Sequence, residues 1–494
     1  MAKLQVRDRS TVHVTKRFLG LNESADGPTA IKDGEAADMV NFCVTDAMHL
    51  RTRCGYRKLR DAGETAVPIS FIWDGWLNGA QQCIYAVGGT LYKLAADGTS
   101  TAIYTDQDGT AFTGHCNAFD FGGYLYIMTP PNGFWRYDGE QLKSVEGYVP
   151  TVLISCDPAT GAGTEYEKLN ILTNKRKATY NTDGSTKTFK LLEAAVSVQS
   201  AVWESGVTIS GGTALSASAS YSCTFDATAN TVTLDGTPPA GTGNLTIAYT
   251  ASGTSKRSQV LGMKYAETYN GSTDCRVFLY GDGTNLALYS GITADAKATA
   301  EYFPAFGEVA VDDDNSPITA MIRHYSRLLC YKPDGVFTIS YDAITTAEGE
   351  TVAGFYVRPM NREIGNEMPG QVRQVYNFPR SFSRGSLYDW KQTASFYRDE
   401  RYAKLVSERV ERTLQNADPA KCRAYDDLEN HEYLLFLNDT AGTVLVHKYT
   451  LDVWYKHTGF SGVECVQRYG GMLLLGMTDG RLLDWSEQWV SDAG

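Results

Sequence analysis

The 494-residue chain has no apolar run long enough to cross a membrane as a helix, and its first residues, MAKLQVRDRSTVHV, lack the apolar core of a signal peptide. The expectation is a chain that is neither exported by that route nor membrane-spanning. None of its ten cysteines, at 43, 54, 83, 116, 156, 223, 275, 330, 422 and 465, forms a C-x-x-C pair. Cys83 and Cys330 lie inside apolar runs, so reduced, buried thiols of a protein assembled in a cytosol are expected. The seven histidines show neither H-x-x-x-H nor H-E-x-x-H spacing, which argues against a metal centre. G-x-S-x-G and a phosphate-binding P-loop are also missing. His115 and Cys116 are adjacent, but neighbours on a strand point to opposite faces, so they do not form a catalytic dyad. A non-enzyme without cofactors is expected. Basic charge is scarce as well: 45 Lys and Arg against 57 Asp and Glu give a net charge of −12. That balance argues against a broad basic face gripping phosphates, but not against a protein that surrounds DNA without holding it.

Short apolar runs broken by glycine corners are what the chain has in quantity. Asn117 to Gly139 reads NAFDFGGYLYIMTPPNGFWRYDG, a strand, turn, strand, turn, strand pattern in which Gly122–Gly123 supplies the positive φ of a tight hairpin. Similar units run from Cys83 to Tyr104, from Ile322 to Tyr341, where Ser326 replaces the second glycine, and from Val466 to Trp485. The next corner glycine falls nine residues after Gly89, Ser326 and Gly471, and ten after Gly123. Recurrent corner spacing in distant parts of one chain indicates repeated units of three or four strands. Radial closure protects the edges of such units better than a linear stack does. The expected fold is therefore all-β, a propeller of about six or seven blades, with an extended pair of sandwiches as the alternative.

Residues 1–60 differ from the repeats and read as an N-terminal arm, with a short helix possible over Glu35 to Phe42 and a basic strand over Leu50 to Leu59. With few large apolar residues, the arm is expected to pack along a partner subunit or along the repeats. Residues 61–150 hold the first blades. From 151 to 257 aromatic density falls and Thr, Ser, Ala and Gly dominate, which suggests an inserted small β-sandwich with strands near 186–191, 198–204, 221–226, 231–235 and 245–250. Residues 258–494 resume the blades. Within them 355–359, 372–378 and 386–393 read as strands of one or two degenerate blades, and 401–416 reads as a helix with Leu405, Val406, Val410 and Leu414 on one stripe. That helix is either a self-paired surface element, with Lys404–Glu408 and Glu408–Arg412 pairs, or a docking surface for a neighbour.

Asp312, Asp313 and Asp314 form the densest acidic cluster: a solvated loop, a metal loop lacking the usual calcium-binding order, or an acidic rim on a channel. Exposed tryptophans (Trp73, Trp76, Trp135, Trp454) would suit carbohydrate binding at a phage or cell surface, but blade tryptophans commonly pack between sheets.

Three passages resemble a family of phage virion proteins. In the arm, Leu19-Gly-Leu-Asn22, Ile31-Lys-Asp-Gly-Glu35, Met39-Val-Asn41 and Leu50-Arg-Thr-Arg-Cys-Gly-Tyr56 follow one another. Gly147-Tyr-Val-Pro150, Asn170-Ile-Leu172 and an Asp183–Gly184 hairpin resemble the junction to an inserted domain. The propeller pattern is the third likeness. Together they resemble the tail-nozzle and packaged-DNA stabilisation proteins of short-tailed phages. The resemblance implies a homohexameric ring in the virion tail, assembled in the host cytoplasm, below portal and adaptor and alongside tail fibre proteins. Double-stranded DNA would pass through it without sequence-specific binding. It also implies assembly contacts from the arm, for which Leu19, Leu21, Asn22, Met39, Asn41, Arg51, Arg53 and Tyr56 are the candidates. Asp312 to Asp314 become the candidate channel-facing loop.

Overall fold

The structure, a computed structural model, describes residues 14–24, 31–63, 66–205, 218–269, 274–345, 351–392 and 401–492. Seven four-stranded antiparallel sheets dominate it. Sheet 1 comprises Ile69–Leu77, Ala80–Val87, Thr90–Leu94 and Ser100–Thr105. Sheet 2 comprises Asn117–Phe121, Tyr124–Thr129, Gly133–Tyr137 and Leu142–Ser144. Sheets 3 to 6 begin with Tyr265–Tyr269, Ala320–His324, Arg373–Val375 and Arg423–Asp427, and each continues as a meander of three more strands. Sheet 7 takes Val463–Tyr469, Met472–Met477 and Leu482–Asp484 from the end of the chain, and its outer strand, Arg57–Arg60, from the beginning.

Why these segments form blades follows from their middle strands. In Tyr124–Thr129, Leu125 and Ile127 point into the core shared with Trp73 and Ile84 of sheet 1. Tyr126 and Met128 point the other way, onto Val277 and Leu279 of sheet 3. A strand buried on both faces reads as a continuous apolar run, which is how YLYIM and LLCY appear in sequence. The same two-sided burial recurs between sheets 3 and 4 around Phe278 and Cys330, and between sheets 4 and 5 around Tyr331 and Trp390. Sheets 7 and 1 share a core around Ile69, Tyr85 and Leu474. Contacts between successive sheets run in order from sheet 1 to sheet 7, and the first strand of sheet 7 again touches that of sheet 1. The arrangement is propeller-like.

The glycine corners have a different phase from the one expected. Gly122–Gly123 and Gly470–Gly471, all at positive φ, join first to second strands in sheets 2 and 7. Gly88–Gly89 joins the second to the third strand of sheet 1. A two-residue turn opened by a glycine at positive φ serves any antiparallel hairpin, so equal spacing does not mark equivalent strands.

Four further expectations need correction. Residues 401–416 are not a continuous helix: Arg401–Leu405 is the outer strand of sheet 5, followed by a 3-10 turn at Glu408–Val410 and one helical turn at Glu411–Leu414. The open edge of Ser386–Gln392 offers main-chain partners that outweigh helix propensity, while Val410 and Leu414 still reach the core. Residues 372–378 are two strands divided at Tyr376–Asn377, and Glu35 to Phe42 contains a two-residue strand, not a helix. The basic strand over 50–59 is also two strands, Leu50–Thr52 in a hairpin with Phe42–Val44 and Arg57–Arg60 in sheet 7.

The arm lies along its own chain. Leu21 (0% exposed) and Met39 (6%) sit in the core of sheets 5 to 7 with Cys43 and Val44. Gly20 permits the close approach: its φ is +82°, and a Cβ there would lie 2.4 Å from the Trp454 carbonyl oxygen.

Between sheets 2 and 3 the chain forms a six-stranded sheet, including Thr151–Cys156, Lys175–Thr182, Ala195–Glu204 and Gly241–Ala251, covered by the three strands Thr188–Lys190, Cys223–Asp226 and Thr231–Leu234. They share a separate core around Tyr180, Phe189 and Ile247. The unit is clasped to the blades midway, because Leu172 enters the core of sheets 2 and 3. Buried Asn170 holds the clasp: its Nδ2 donates to the Tyr148 and Glu301 carbonyls (both 2.8 Å), and its Oδ1 accepts from Leu172 N (3.1 Å) and Phe303 N (3.0 Å). Asn170→Ala leaves the Tyr148 carbonyl and the Leu172 and Phe303 N–H groups without this partner and is expected to lower stability by about 3 kcal/mol, read as a fall in the urea midpoint. An unchanged midpoint would mean that the clasp is not structural.

Candidate functional site: the axial cavity and its mouth

A cavity of about 500 Å³ lies on the axis, walled by residues in or beside the first strand of every one of the seven sheets. Its polar groups mostly tie neighbouring sheets together. Arg373, from sheet 5, donates through Nε to the Ala424 carbonyl of sheet 6 (2.9 Å), and its Nη1 and Nη2 go to Gly370 O and Gln371 Oε1 (3.2 and 3.3 Å). Arg423, from sheet 6, grips both carboxylate oxygens of Glu464 in the first strand of sheet 7, each at 3.0 Å. His115 Nε2 lies 3.1 Å from the Lys264 carbonyl, and its ring meets Tyr265 edge-on at 5.0 Å. Cys116 belongs to the core of sheets 1 and 2, where burial pushes its thiol up to about 12. It is therefore no thiolate nucleophile at neutral pH.

Glu267 stands apart among these groups in its ionisation. It faces the cavity from sheet 3, and desolvation raises its pKa to about 7 against the pull of the Arg323 and Thr268 main-chain N–H groups and of Arg373. Two more carboxyls are displaced for the same reason: Glu432 to about 7 and Asp426 to about 6. Burial depresses His447 to about 4 and His457 to about 3. The signs oppose one another. The carboxyls bind protons in the folded state that the unfolded chain has already released, so their contribution is full at low pH and is lost as pH rises through 6 to 7. The histidines remove stability as pH falls below their ordinary value near 6.5. Stability should therefore rise from pH 8 to pH 6.5 and then level off. Melting temperatures at the two values test this, and Glu267→Gln with Glu432→Gln should flatten the rise. A wild type that melts equally at pH 8 and 6.5 would contradict it.

At one end the cavity opens into a wider cleft of about 930 Å³, bounded by hairpin tips of sheets 4, 5 and 6. Tyr325, Tyr376, Phe378, Tyr425, Leu428, His431 and Tyr449 line it, with Asp426 on the wall and Arg373 at the floor. The sequence reading did not find this group, because it converges from three sheets.

The acidic loop joins sheet 3 to sheet 4 and is partly neutralised: Asp312 pairs with Arg362 at 2.7 Å and Asp314 with the buried Lys332. Both carboxyls are held below their ordinary range by these cations. Asp313 is exposed, and none of the three lines the axial cavity. The arm candidates all contact their own chain. Leu19 N donates to Gly34 O (2.7 Å), Asn22 Nδ2 to Glu35 Oε2 (2.8 Å) and Asn41 Nδ2 to Thr458 Oγ1 (3.1 Å). Arg51 pairs with Glu487 at 2.6 Å, Arg53 with Asp492 at 2.5 Å, and Tyr56 packs on Phe460 with ring centroids 5.9 Å apart. Leu21 and Met39 are buried in the core of sheets 5 to 7. Trp73 and Trp454 are buried and Trp135 half-buried, whereas Trp76 is 70% exposed. Among the described residues no cluster of His, Cys, Asp or Glu could hold a metal ion, and no helix is long and apolar enough to cross a membrane.

No family model matches the chain, and no curated protein matches it. Solved structures are similar to it at low identity. The computationally designed Ika8 protein aligns over 86% of this chain and 98% of its own at 11% identity and a TM-score of 0.36. BamB from Moraxella catarrhalis aligns over 85% and 83% at 9% identity and a TM-score of 0.38. Sqt1 from Saccharomyces cerevisiae aligns over 88% and 98% at 8% identity and a TM-score of 0.35.

Proposed function

We propose that this chain is a structural subunit of a short-tailed phage tail, a seven-bladed propeller closed by its own arm, several copies of which form a ring that retains and conducts DNA. The observation that supports a building role is the use made of the axial polar groups. Arg373, Gln371, Arg423 and Glu464 bond adjacent first strands to one another across sheets 5, 6 and 7. The phage assignment rests on the likeness of the arm and of the junction around Tyr148 and Asn170. A cavity of about 500 Å³ does not admit a double helix whose major groove alone is about 12 Å wide. Any conduit therefore lies between copies, most simply at the centre of a hexamer. There the net charge of −12 per chain would keep a translocating duplex from adhering, since phosphate binding strengthens with each cation presented.

Particles assembled without this protein test the reading. They should package DNA but fail to keep or deliver it, and the purified chain should restore both. Normal retention and delivery in its absence would overturn the proposal.

A further inference from the structure

The cleft at the mouth of the axial cavity has features that joining sheets does not require. Three hairpins meet there, and two carry tyrosine at a turn position where sheets 2 and 7 use glycine. Tyr325 has φ +55° and Tyr376 φ +47°, against +58° for Gly122 and Gly470. Bulky side chains are uncommon in this region, which glycine occupies without strain. Both tyrosines are nevertheless exposed, at 57% and 71%. Tyr376 faces Tyr449 with ring centroids 5.8 Å apart, and Tyr449 meets His431 edge-on at 5.9 Å. Apolar rings are thus held out at some conformational expense and left uncovered.

Beside them sits a polar group without a full set of partners. Asp426 interacts with the Tyr449 hydroxyl, yet its Oδ1 is buried and has no hydrogen-bond partner. An ionised carboxylate is acceptor-only, so the missing partner is a donor. The floor supplies the opposite charge: the described hydrogen bonds of Arg373 run to the Gly370, Val372 and Ala424 carbonyls and the Gln371 side chain, none of which is anionic. With Arg380 acting on Asp426 and Glu267 on Arg373, each charge is already offset, and the cleft favours neither a cation nor a phosphate. Flat rings, an unmet acceptor and near-neutral charge suit a ligand with apolar faces and hydroxyl donors. The volume of about 930 Å³ is that of a site for several linked units.

We infer that this cleft binds a neutral oligosaccharide, whose ring faces stack on Tyr376 and Tyr325 and one of whose hydroxyls donates to Asp426. The inference does not depend on the ring proposed above, since the cleft is complete within one chain.

An array of bacterial surface oligosaccharides, followed by calorimetric titration of the retained glycans, tests it. The full chain is compared with Tyr376→Gly, Tyr325→Gly and Asp426→Asn. Glycine suits both turn positions, so the first two variants should keep the wild-type melting temperature while Kd rises about tenfold or more, as when a central aromatic contact is lost. Asp426→Asn should weaken binding while preserving shape. Retention of no glycan, or retention unaffected by all three variants, would overturn the inference. So would preferential binding of a trimethyl-lysine peptide, which would make the cleft a cation cage.

Discussion

A chain that begins at residue 61 is expected to be insoluble or rapidly degraded, whereas one that begins at residue 50 should fold with reduced stability. The difference lies in Arg57–Arg60. These residues pair with Leu482–Asp484 and complete sheet 7, and Arg57 Nε reaches the buried Asp484 carboxylate at 3.2 Å. Without them sheet 7 keeps an open edge, and Asp484 loses its cation. The chain starting at residue 50 keeps that strand but loses Leu21, Met39, Cys43 and Val44 from the core of sheets 5 to 7. Each large apolar side chain removed forfeits about 1.5–3 kcal/mol of burial. Solubility on expression, limited proteolysis and urea melts separate the two lengths. Equal behaviour of both truncations and the full chain would contradict closure by the arm.

The second large effect is expected at Arg380. Its guanidinium is buried in sheet 5, where Nε and Nη2 donate to Asp389 at 2.6 and 3.1 Å. Nη1 lies 3.1 Å from His447 Nδ1 of sheet 6, and the group sits 4.7 Å from the Tyr433 ring centroid. Arg380→Ala leaves Asp389 buried and unpaired, and such losses are worth about 3–5 kcal/mol. Removing both charges with Arg380→Met and Asp389→Leu should restore much of that stability, because the pair's own desolvation penalty disappears with it. A double variant as unstable as the single one would show that packing around the guanidinium, not its charge, is what matters.

Strand positions and corners were legible in the sequence because two-sided burial writes them as apolar runs between glycines. YLYIM in sheet 2 and LLLGM in sheet 7 are where the pattern places them. Pairing across long separations was not legible. Nothing in RKLR at 57–60 marks it as the partner of Leu482–Asp484, more than 400 residues away. The stripe Val406, Val410, Leu414 has helical spacing, yet the edge of sheet 5 claims the residues just before it. The mouth cleft was missed for a related reason. Tyr325, Tyr376, Leu428 and Asp426 come from three hairpins, and only the folded chain brings them together. Tyr325-Ser326, standing where a glycine pair was expected, was the one trace of it in the sequence. The acidic loop was the opposite case, conspicuous in sequence and substantially paired in the fold.

The ring itself is tested most directly by electron cryomicroscopy of intact particles containing this protein. The expected result is a closed ring of copies on the tail axis, below portal and adaptor, with a lumen wide enough for duplex DNA between the subunits. Single copies at a fibre tip, or a position on the outer capsid surface, would contradict it.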